Sequence, residues 1–507
     1  MQPSNCIREA SKACFSTFCS PPLLHTSPPP SSARLDFVSA IATTLHPHTV
    51  FTNHESLPPP GELLSALIAA VPSYSINSAA TDTIRAQEYR HLSLSDRVSL
   101  DYVGHGLFSY AQTEAHERFF DFAYGGGETE LHSAAKRRVL KYMNLSEEDY
   151  MLVFTTNQSS AFNLLAQSYP FESHHNLVTV YDHDSEALKP MTDAAGKCGG
   201  LHQSAVFSWP GLRVDSRKLR KILTSRNRGL LAFPLQSKLT GARYSYQWMN
   251  LARENGWHVL LDASALAAKE METLGLSLFQ PDFIICSFFK IFGENPSGFC
   301  CLVVKKSSAS VLNRPSTNMG IVNLVPDETN STTNDGLIEF RGLNHADELG
   351  LIRISSRLRC LVNWVVNALR SLRHPGEGLP LVDLYGPGVR VDRGATVAFN
   401  VCDWKGERVD PGLVQKLADR SKISLSIGFL KNICFEEGLA ERRKKTKTKK
   451  RREEDCSLGV VSASLGMLSD FEDVYRLWAF VARFLDADFV EKEKWRYTAL
   501  NQTTVEV

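Results

Sequence analysis

Short apolar runs alternate with amphipathic stretches between residues 95 and 350. The runs predict buried strands, and the stretches with apolar residues three or four apart predict helices. Strands that are apolar throughout are typical of a parallel sheet covered on both faces. The predicted strands are 150–154, 177–180, 229–233, 258–261, 283–285 and 299–304, and the predicted helices are 129–143, 161–167 and 247–254.

The remainder of the chain has a different pattern of predicted strands and helices. A long helix over 346–372 leads into a strand at 396–401, a helix at 414–420 and a final amphipathic helix at 471–485. Strands and helices without strict alternation favour a smaller α+β domain. We therefore predict a large domain over 76–350 and a small domain over 351–507.

Three polar segments fall outside this pattern. Residues 1–75 are rich in Ser and Pro and are predicted to be disordered, with a transit peptide as the alternative. Residues 313–336 predict a long loop. Residues 442–452, within an insert over 440–455, contain nine basic residues of eleven. We interpret them as a solvated surface insert, and a nuclear-localisation or acidic-partner role stays open.

Composition excludes several classes of function. The 507-residue chain has a net charge of +1, so no general field attracts it to nucleic acid or to membranes. Its eleven cysteines form no Cys-x-x-Cys pair, which argues against a zinc site and against a disulfide framework, and we expect no metal. No apolar run reaches the ~18 residues of a membrane span. We expect a cytoplasmic protein, and an organellar or nuclear location stays open.

Lys290 follows the apolar run at 283–285 and precedes the run at 299–304. A lysine buried between strands is costly unless it loses its charge or forms a covalent bond. An imine with the aldehyde of pyridoxal 5'-phosphate (PLP) meets that need. The alternative is a lysine at a strand end whose amine reaches water.

Hydroxyl and amide side chains follow the predicted strand at 150–154. Thr155, Thr156 and Asn157 lie between that strand and a helix, which is the layout of a phosphate site. Taken alone they are only an N-cap signal. Ser287, three residues before Lys290, is a further candidate donor to a phosphate.

Two more candidates follow other strands. Asp262 comes directly after the strand at 258–261, where a carboxylate can hold the proton of a pyridinium nitrogen, and its alternative role is a helix N-cap. His183 follows the strand at 177–180 and can stack on a pyridine ring. The alternative for His183 is a loop histidine paired with Asp182 or Asp184. All these positions lie at the strand ends where ligands of open α/β sheets bind.

The order of phosphate site, histidine, aspartate and lysine resembles fold-type I PLP enzymes. The chain is similar to the class V aminotransferase and cysteine desulfurase group, and in particular to the PLP domain of molybdenum cofactor sulfurases and of plant proteins similar to them. The resemblance spans roughly residues 85–490. Its motifs are at 148–156, 233–244, 261–263 and 287–293.

The resemblance implies an α/β fold of type I, with a mainly parallel large domain and a smaller α+β C-terminal domain. It implies PLP bonded to Lys290, with Asp262 at the ring nitrogen and His183 on the ring. Thr155, Thr156, Asn157 and Ser287 would lie on the phosphate side. It further implies a homodimer acting on an amino acid or another small molecule, with transfer of sulfur from L-cysteine as the family reaction.

The chain departs from this family at several positions. Residues 426–431 match the loop that carries the sulfur-accepting cysteine, but they contain none, and Cys434 is the nearest candidate substitute. Ser462 stands where the resemblance implies an arginine for the substrate carboxylate, and Arg341 is a candidate replacement. Lys238 stands in place of an asparagine. A catalytically degenerate binding or regulatory module is therefore the alternative function.

Overall fold

The computed structural model describes residues 32–45, 49–90, 92, 96–102, 130–225, 228–265, 276, 278–292, 299–312, 341–376, 378–434 and 457–499. Its helices are α1 Ser32–Thr43, α2 Pro60–Ala70, α3 Ser73–Glu88, α4 Glu130–Tyr142, α5 Gln158–Ser168, α6 Lys189–Lys197, α7 Ser216–Leu223, α8 Gln247–Glu254, α9 Phe289–Phe292, α10 Lys306–Ala309, α11 Arg341–Arg370, α12 Pro411–Arg420, α13 Phe471–Ala482 and α14 Ala487–Ala499. Its strands are β1 Val98–Ser99, β2 Tyr150–Thr155, β3 Asn176–Thr179, β4 His202–Ser204, β5 Phe207–Ser208, β6 Arg213–Val214, β7 Gly229–Pro234, β8 His258–Asp262, β9 Phe283–Ser287, β10 Cys300–Lys305, β11 Val382–Tyr385, β12 Thr396–Val401, β13 Ile423–Ser424, β14 Ser426–Leu430, β15 Ile433–Cys434 and β16 Leu458–Ser464.

The large sheet has seven strands in the order β2-β10-β9-β8-β7-β3-β4. β10 runs antiparallel to both of its neighbours, and the pairs from β9 to β4 are parallel. Every residue of β7 is buried, as expected for a strand covered on both faces. The predicted α/β fold with a mainly parallel sheet is confirmed.

The register of the sheet brings the ends of distant segments together. Cys300 at the start of β10 pairs with Thr155 at the end of β2 and with Ser287 at the end of β9. Pro234 at the end of β7 pairs with Asp262 at the end of β8. The candidate residues after these strands therefore share one edge of the sheet, its carboxyl edge.

The small domain is built on an antiparallel sheet in the order β11-β12-β16-β14. α13 packs on α11, which covers the helix predicted over 346–372 except for its last two residues. Gly350 interrupts α11 with a φ of 74°, so the helix breaks where the domain boundary is predicted. That boundary stays a prediction.

The prediction of disorder over residues 1–75 is wrong for the described residues from 32 onward. α1 and α2 occupy part of this range, and Ile41 and Leu67 are completely buried in the main core. Composition predicted disorder because the segment cannot bury enough apolar surface alone. In the structure it uses the surface of α11 and its neighbours instead, as when Asn367 donates to the carbonyl of Ile41.

Other expectations have mixed outcomes. The helix expected at 471–485 ends at Ala482 in a short 3₁₀ turn, and α14 follows it, so that helix is not the final one. The loop at 313–336 and the insert at 440–455 lie outside the described residues. Within the described part of the chain, no helix is both long and apolar enough to cross a membrane.

Candidate functional site

Asp262 lies at the centre of the carboxyl edge of the large sheet. Its carboxylate is buried and accepts four hydrogen bonds. One oxygen accepts from the backbone N–H of Ser264 at 3.0 Å and from its hydroxyl at 2.5 Å. The other accepts from the Tyr181 hydroxyl at 2.9 Å and from the Gln158 amide at 3.2 Å.

The donors around Asp262 are all neutral. Burial raises the pKa of Tyr181 well above its usual range, so the phenol stays protonated and donates. Among the side chains that the structure describes, no lysine, arginine or histidine forms an ion pair with Asp262. A buried carboxylate surrounded by neutral donors has the chemistry to accept a cationic ring nitrogen.

His183 belongs to a second buried network, in the loop after β3. Its Nδ1 lies 2.9 Å from Asp182, which also accepts from the hydroxyls of Ser237 at 2.7 Å and Thr240 at 2.9 Å. The pairing with Asp182 that we held as the alternative is therefore present. It does not exclude a stacking role, because a histidine fixed through Nδ1 still presents a ring face.

The candidate phosphate residues form the start of α5. The Asn157 side chain caps this helix by accepting from the Ser160 N–H at 2.8 Å. The Thr156 hydroxyl lies 3.0 Å from that of Ser160, and the Thr155 hydroxyl donates to the Asn157 carbonyl at 3.2 Å. The N-cap role is thus observed, and the helix N-terminus and two hydroxyls lie at the edge of the sheet.

Lys290 lies in α9, directly after β9, so its backbone is at the same edge as Asp262. Its side chain is outside the described part of the structure. Ser287 ends β9 beside Cys300. Burial raises the pKa of the Cys300 thiol to about 11, against the effect of its hydrogen bond with Ser287. This thiol is therefore protonated at neutral pH.

The small domain contacts the site through the residues at the end of β14. His183 forms a bridge with Leu430, and the Asp184 N–H donates to the Phe429 carbonyl at 2.8 Å. The Lys431 N–H donates to the Asp182 carbonyl at 2.9 Å, and its ammonium pairs with Asp184 at 2.9 Å. The segment that matches the family's cysteine loop is here a paired strand attached to the histidine loop.

The other residues named as departures from the family pattern, or as substitutes for the family's residues, lie at different places in the structure. Ser462 is buried in β16 and its hydroxyl donates to the Leu239 carbonyl at 3.2 Å. Cys434 is exposed in β15, which pairs with β5. Arg341 begins α11, and its side chain is outside the described part.

Sequence reasoning missed the residues that hold Asp262. Ser264 had a local signal, since a serine two residues after an aspartate readily bonds back to it. Tyr181 and Gln158 had none, because they follow strands far away in the chain and meet Asp262 only through the strand order.

Comparison with known proteins agrees with this geometry. The family described as Aminotransferase class-V matches residues 121–477. The chain belongs to the aminotransferase class-V family. This class-V chain is 24% identical to the molybdenum cofactor sulfurase of Oryza sativa subsp. japonica, over 81% of its own length and 58% of the relative's. For the Homo sapiens protein of the same name, the identity is 26% over 72% of the chain and 45% of the relative.

The predicted resemblance to molybdenum cofactor sulfurases is thus confirmed, and the chain spans about half the length of these curated relatives. Among solved structures, a cysteine desulfurase from Thermococcus onnurineus NA1 superposes with a TM-score of 0.58 at 18% identity, covering 81% of this chain and 98% of that one. The cysteine desulfurase CsdA from Escherichia coli gives 0.56 at 18% identity, covering 80% and 98%. These likenesses confirm the fold-type I, cysteine desulfurase-type fold.

Proposed function

We propose that this class-V family member is a PLP-dependent enzyme acting on the amino group of an amino acid. The observation that carries the proposal is the buried carboxylate of Asp262, which accepts hydrogen bonds from four neutral donors. A pyridinium nitrogen would be a suitable cationic partner for this carboxylate. One structural relative, a C-DES mutant, is described as having glycine covalently linked to its PLP cofactor.

Each candidate residue then has a proposed role. Lys290 would bond to the cofactor aldehyde, Asp262 would keep the ring nitrogen protonated, and His183, which is fixed by Asp182, would lie on the ring face. The phosphate would lie against the N-terminus of α5, with Thr155, Thr156, Asn157 and Ser287 as its donors. When bound, PLP withdraws electrons from the carbon that carries the substrate amine.

Sulfur transfer from L-cysteine is the reaction that the named relatives suggest. A protein thiolate would have to reach the substrate sulfur, because the thiolate is the nucleophile. Residues 426–430 lack cysteine and are paired with β16, so they offer no such thiol. We therefore favour an amino-acid substrate without a sulfur relay on this loop.

Absorption spectroscopy tests the cofactor assignment. Protein purified with PLP should show a visible band that dialysis does not remove, and Lys290→Ala should lose it. Lys305→Ala, at the opposite end of the neighbouring strand, is the matched control and should keep the band. A wild-type protein that takes up no PLP would sink the proposal.

A binding or regulatory module is the second candidate function. It is favoured by the strand β14 standing in place of a cysteine loop and by the buried Ser462 in place of an arginine. A binding or regulatory module should bind PLP but should not convert any amino acid that it binds. Release of alanine or sulfide from L-cysteine at an ordinary enzymatic rate would contradict it.

A homodimer remains a proposal based on the family. Light scattering of the purified protein tests it, with a monomer at micromolar concentration as the contrary result.

A further inference from the structure

Donors of the chain itself fill the acceptor positions of the Asp262 carboxylate. A carboxylate offers about four lone-pair positions to hydrogen-bond donors. Oδ1 accepts from the N–H and the hydroxyl of Ser264, and Oδ2 accepts from the Tyr181 hydroxyl and the Gln158 amide. The N–H of a pyridinium would be a further donor, so one of these hydrogen bonds has to break when it binds.

Ser264 and Tyr181 are held in place by their surroundings. Ser264 is buried two residues after Asp262, and one of its hydrogen bonds comes from the backbone. Tyr181 is also buried, and its ring lies edge-on to that of His183 at 5.8 Å. Moving the Tyr181 hydroxyl away from Asp262 would cost free energy, because a buried polar group would lose its partner.

Gln158 is the donor that can move at the least cost. Its side chain is partly exposed, whereas Tyr181 and Ser264 are buried, so an incoming ligand can reach it from solvent. Its hydrogen bond to Asp262, at 3.2 Å, is the longest of the four. The same amide nitrogen donates to the Ser264 hydroxyl at 2.7 Å, and that bond can persist when the one to Asp262 breaks.

Gln158 is also the first residue of α5, whose N-terminus is the proposed phosphate side. The preceding residue, Asn157, caps this helix by accepting from the Ser160 N–H at 2.8 Å. The cap fixes the backbone beside Gln158, so a change at Asp262 needs only a rotation of the glutamine side chain. Gln158 therefore connects the proposed phosphate side with the carboxylate that would face the ring nitrogen.

We propose that the Gln158 amide occupies the position on Asp262 that the cofactor ring nitrogen takes, and that PLP binding displaces it. This inference rests on the proposed function, because it concerns the uptake of PLP. Gln158 is a positioning residue, which keeps the buried carboxylate hydrogen-bonded and competes with the cofactor for it. Loss of the amide should therefore favour the uptake of PLP.

The test removes the amide and measures how the full chain binds PLP. Protein stripped of cofactor is mixed with PLP, and the visible band is followed by titration and by stopped flow. Gln158→Ala, and Gln158→Met with its similar side-chain length, should both bind PLP about threefold to tenfold more tightly than wild type, the range of one hydrogen bond. The gain should appear in the association rate constant, because no competing amide has to leave.

Gln167→Ala is the matched control. Gln167 lies on the same helix and is also partly buried, but its amide donates to the Asn163 side chain at 3.3 Å. Its substitution should leave the affinity and the association rate constant for PLP unchanged. A gain in affinity identifies competition, since loss of a merely structural side chain leaves the affinity unchanged or lowers it.

Two results would overturn the inference. If the Gln158 variants bind PLP with wild-type constants, the amide does not compete for Asp262. If they bind PLP more weakly while circular dichroism shows a normal fold, the amide supports the bound cofactor instead. Gln158→Met decides alone should Gln158→Ala misfold. Failure of the proposed function looks different, because neither wild type nor any variant would then show a visible band.

Discussion

Asp262 accepts hydrogen bonds from all the donors around it. Its substitution should therefore lower cofactor affinity more than substitution of any other single residue. Asp262→Asn keeps the size but removes the charge, so a ring nitrogen loses its ionic partner. We predict that the dissociation constant for PLP rises about tenfold or more, measured by equilibrium titration.

Asp282 provides the control for that variant. It lies just before β9, at the opposite edge of the sheet, and accepts from the Val259 N–H at 2.8 Å and the Ser308 hydroxyl at 2.6 Å. Asp282→Asn should lower stability to a comparable degree and leave PLP affinity unchanged. Equal loss of affinity in the two variants would mean that Asp262 acts only through folding.

Asp182 makes stability depend on pH in acid. Burial alone would raise the pKa of Asp182, but hydrogen bonds from His183, Ser237 and Thr240 bring it below its ordinary value. A carboxylate whose pKa is lower in the folded protein stabilises the fold fully above its pKa in the unfolded chain, which is about 3.9. That contribution is lost as the pH falls through the folded pKa.

Asp182→Asn should therefore be less stable than wild type near neutral pH. The gap in urea midpoint between the two should narrow below about pH 4, where wild type loses its own carboxylate. Asp193 on α6 is exposed, so Asp193→Asn is the control and should have little effect on the urea midpoint. A gap that stays constant through this range would show that the ionised form of Asp182 is not the stabilising one.

At the level of elements, the turn after β7 connects the large sheet, the histidine loop and the small domain. Gly241 has a φ of +67°, and a Cβ there would meet the Thr396 carbonyl oxygen at 2.6 Å. Gly406 has a similar φ of +75° but only an ordinary contact at 3.8 Å. Both alanine variants lose about 1 kcal/mol or more of unfolding free energy, because alanine has to adopt the left-handed conformation.

Gly241→Ala should cost more free energy of unfolding than Gly406→Ala, because only the former also displaces backbone. Urea denaturation of both variants measures the difference. Gly241→Ala should also weaken PLP binding, since Ser237 and Thr240, which donate to Asp182 beside His183, move with the turn. Equal destabilisation by the two substitutions would show that the turn can relax.

The elements of the large domain were predictable because a strand buried on both faces is a continuous apolar run. β7, β8, β9 and β10 all have this form, and so Asp262, Ser287 and Lys290 could be placed at strand ends from the sequence. β4, β5 and β6 have only two or three residues each, too few for any periodicity to appear.

The small-domain contact with the site could not be predicted. Leu430 and His183 are far apart in the chain, and their pairing follows from how β14 meets the loop after β3. The sequence indicated only that residues 426–431 lack the family cysteine. The structure shows what they do instead, which is to form a sheet edge against the histidine loop.

On the scale of the whole molecule, the described part of the N-terminal segment contributes to the core. The Phe51 N–H donates to the Ser371 carbonyl at 2.9 Å, and the Phe51 ring packs edge-on against Trp478 at 5.2 Å. We predict that Phe51→Ala costs about 3 kcal/mol of unfolding free energy and changes tryptophan fluorescence.

Phe429→Ala is the control for this prediction, because that ring is half exposed and its removal leaves no core cavity. If Phe51→Ala and Phe429→Ala had similar unfolding free energies, this would contradict the assignment of Phe51 in the N-terminal segment to the core.

The central claim is that the amine of Lys290 bonds to the cofactor. Borohydride reduction of PLP-loaded protein, followed by peptide mass spectrometry, tests it directly because reduction fixes the bond permanently. The account predicts a pyridoxyl group on the peptide that contains Lys290. A pyridoxyl group at Lys238 or at another lysine, or no modification at all, would contradict it.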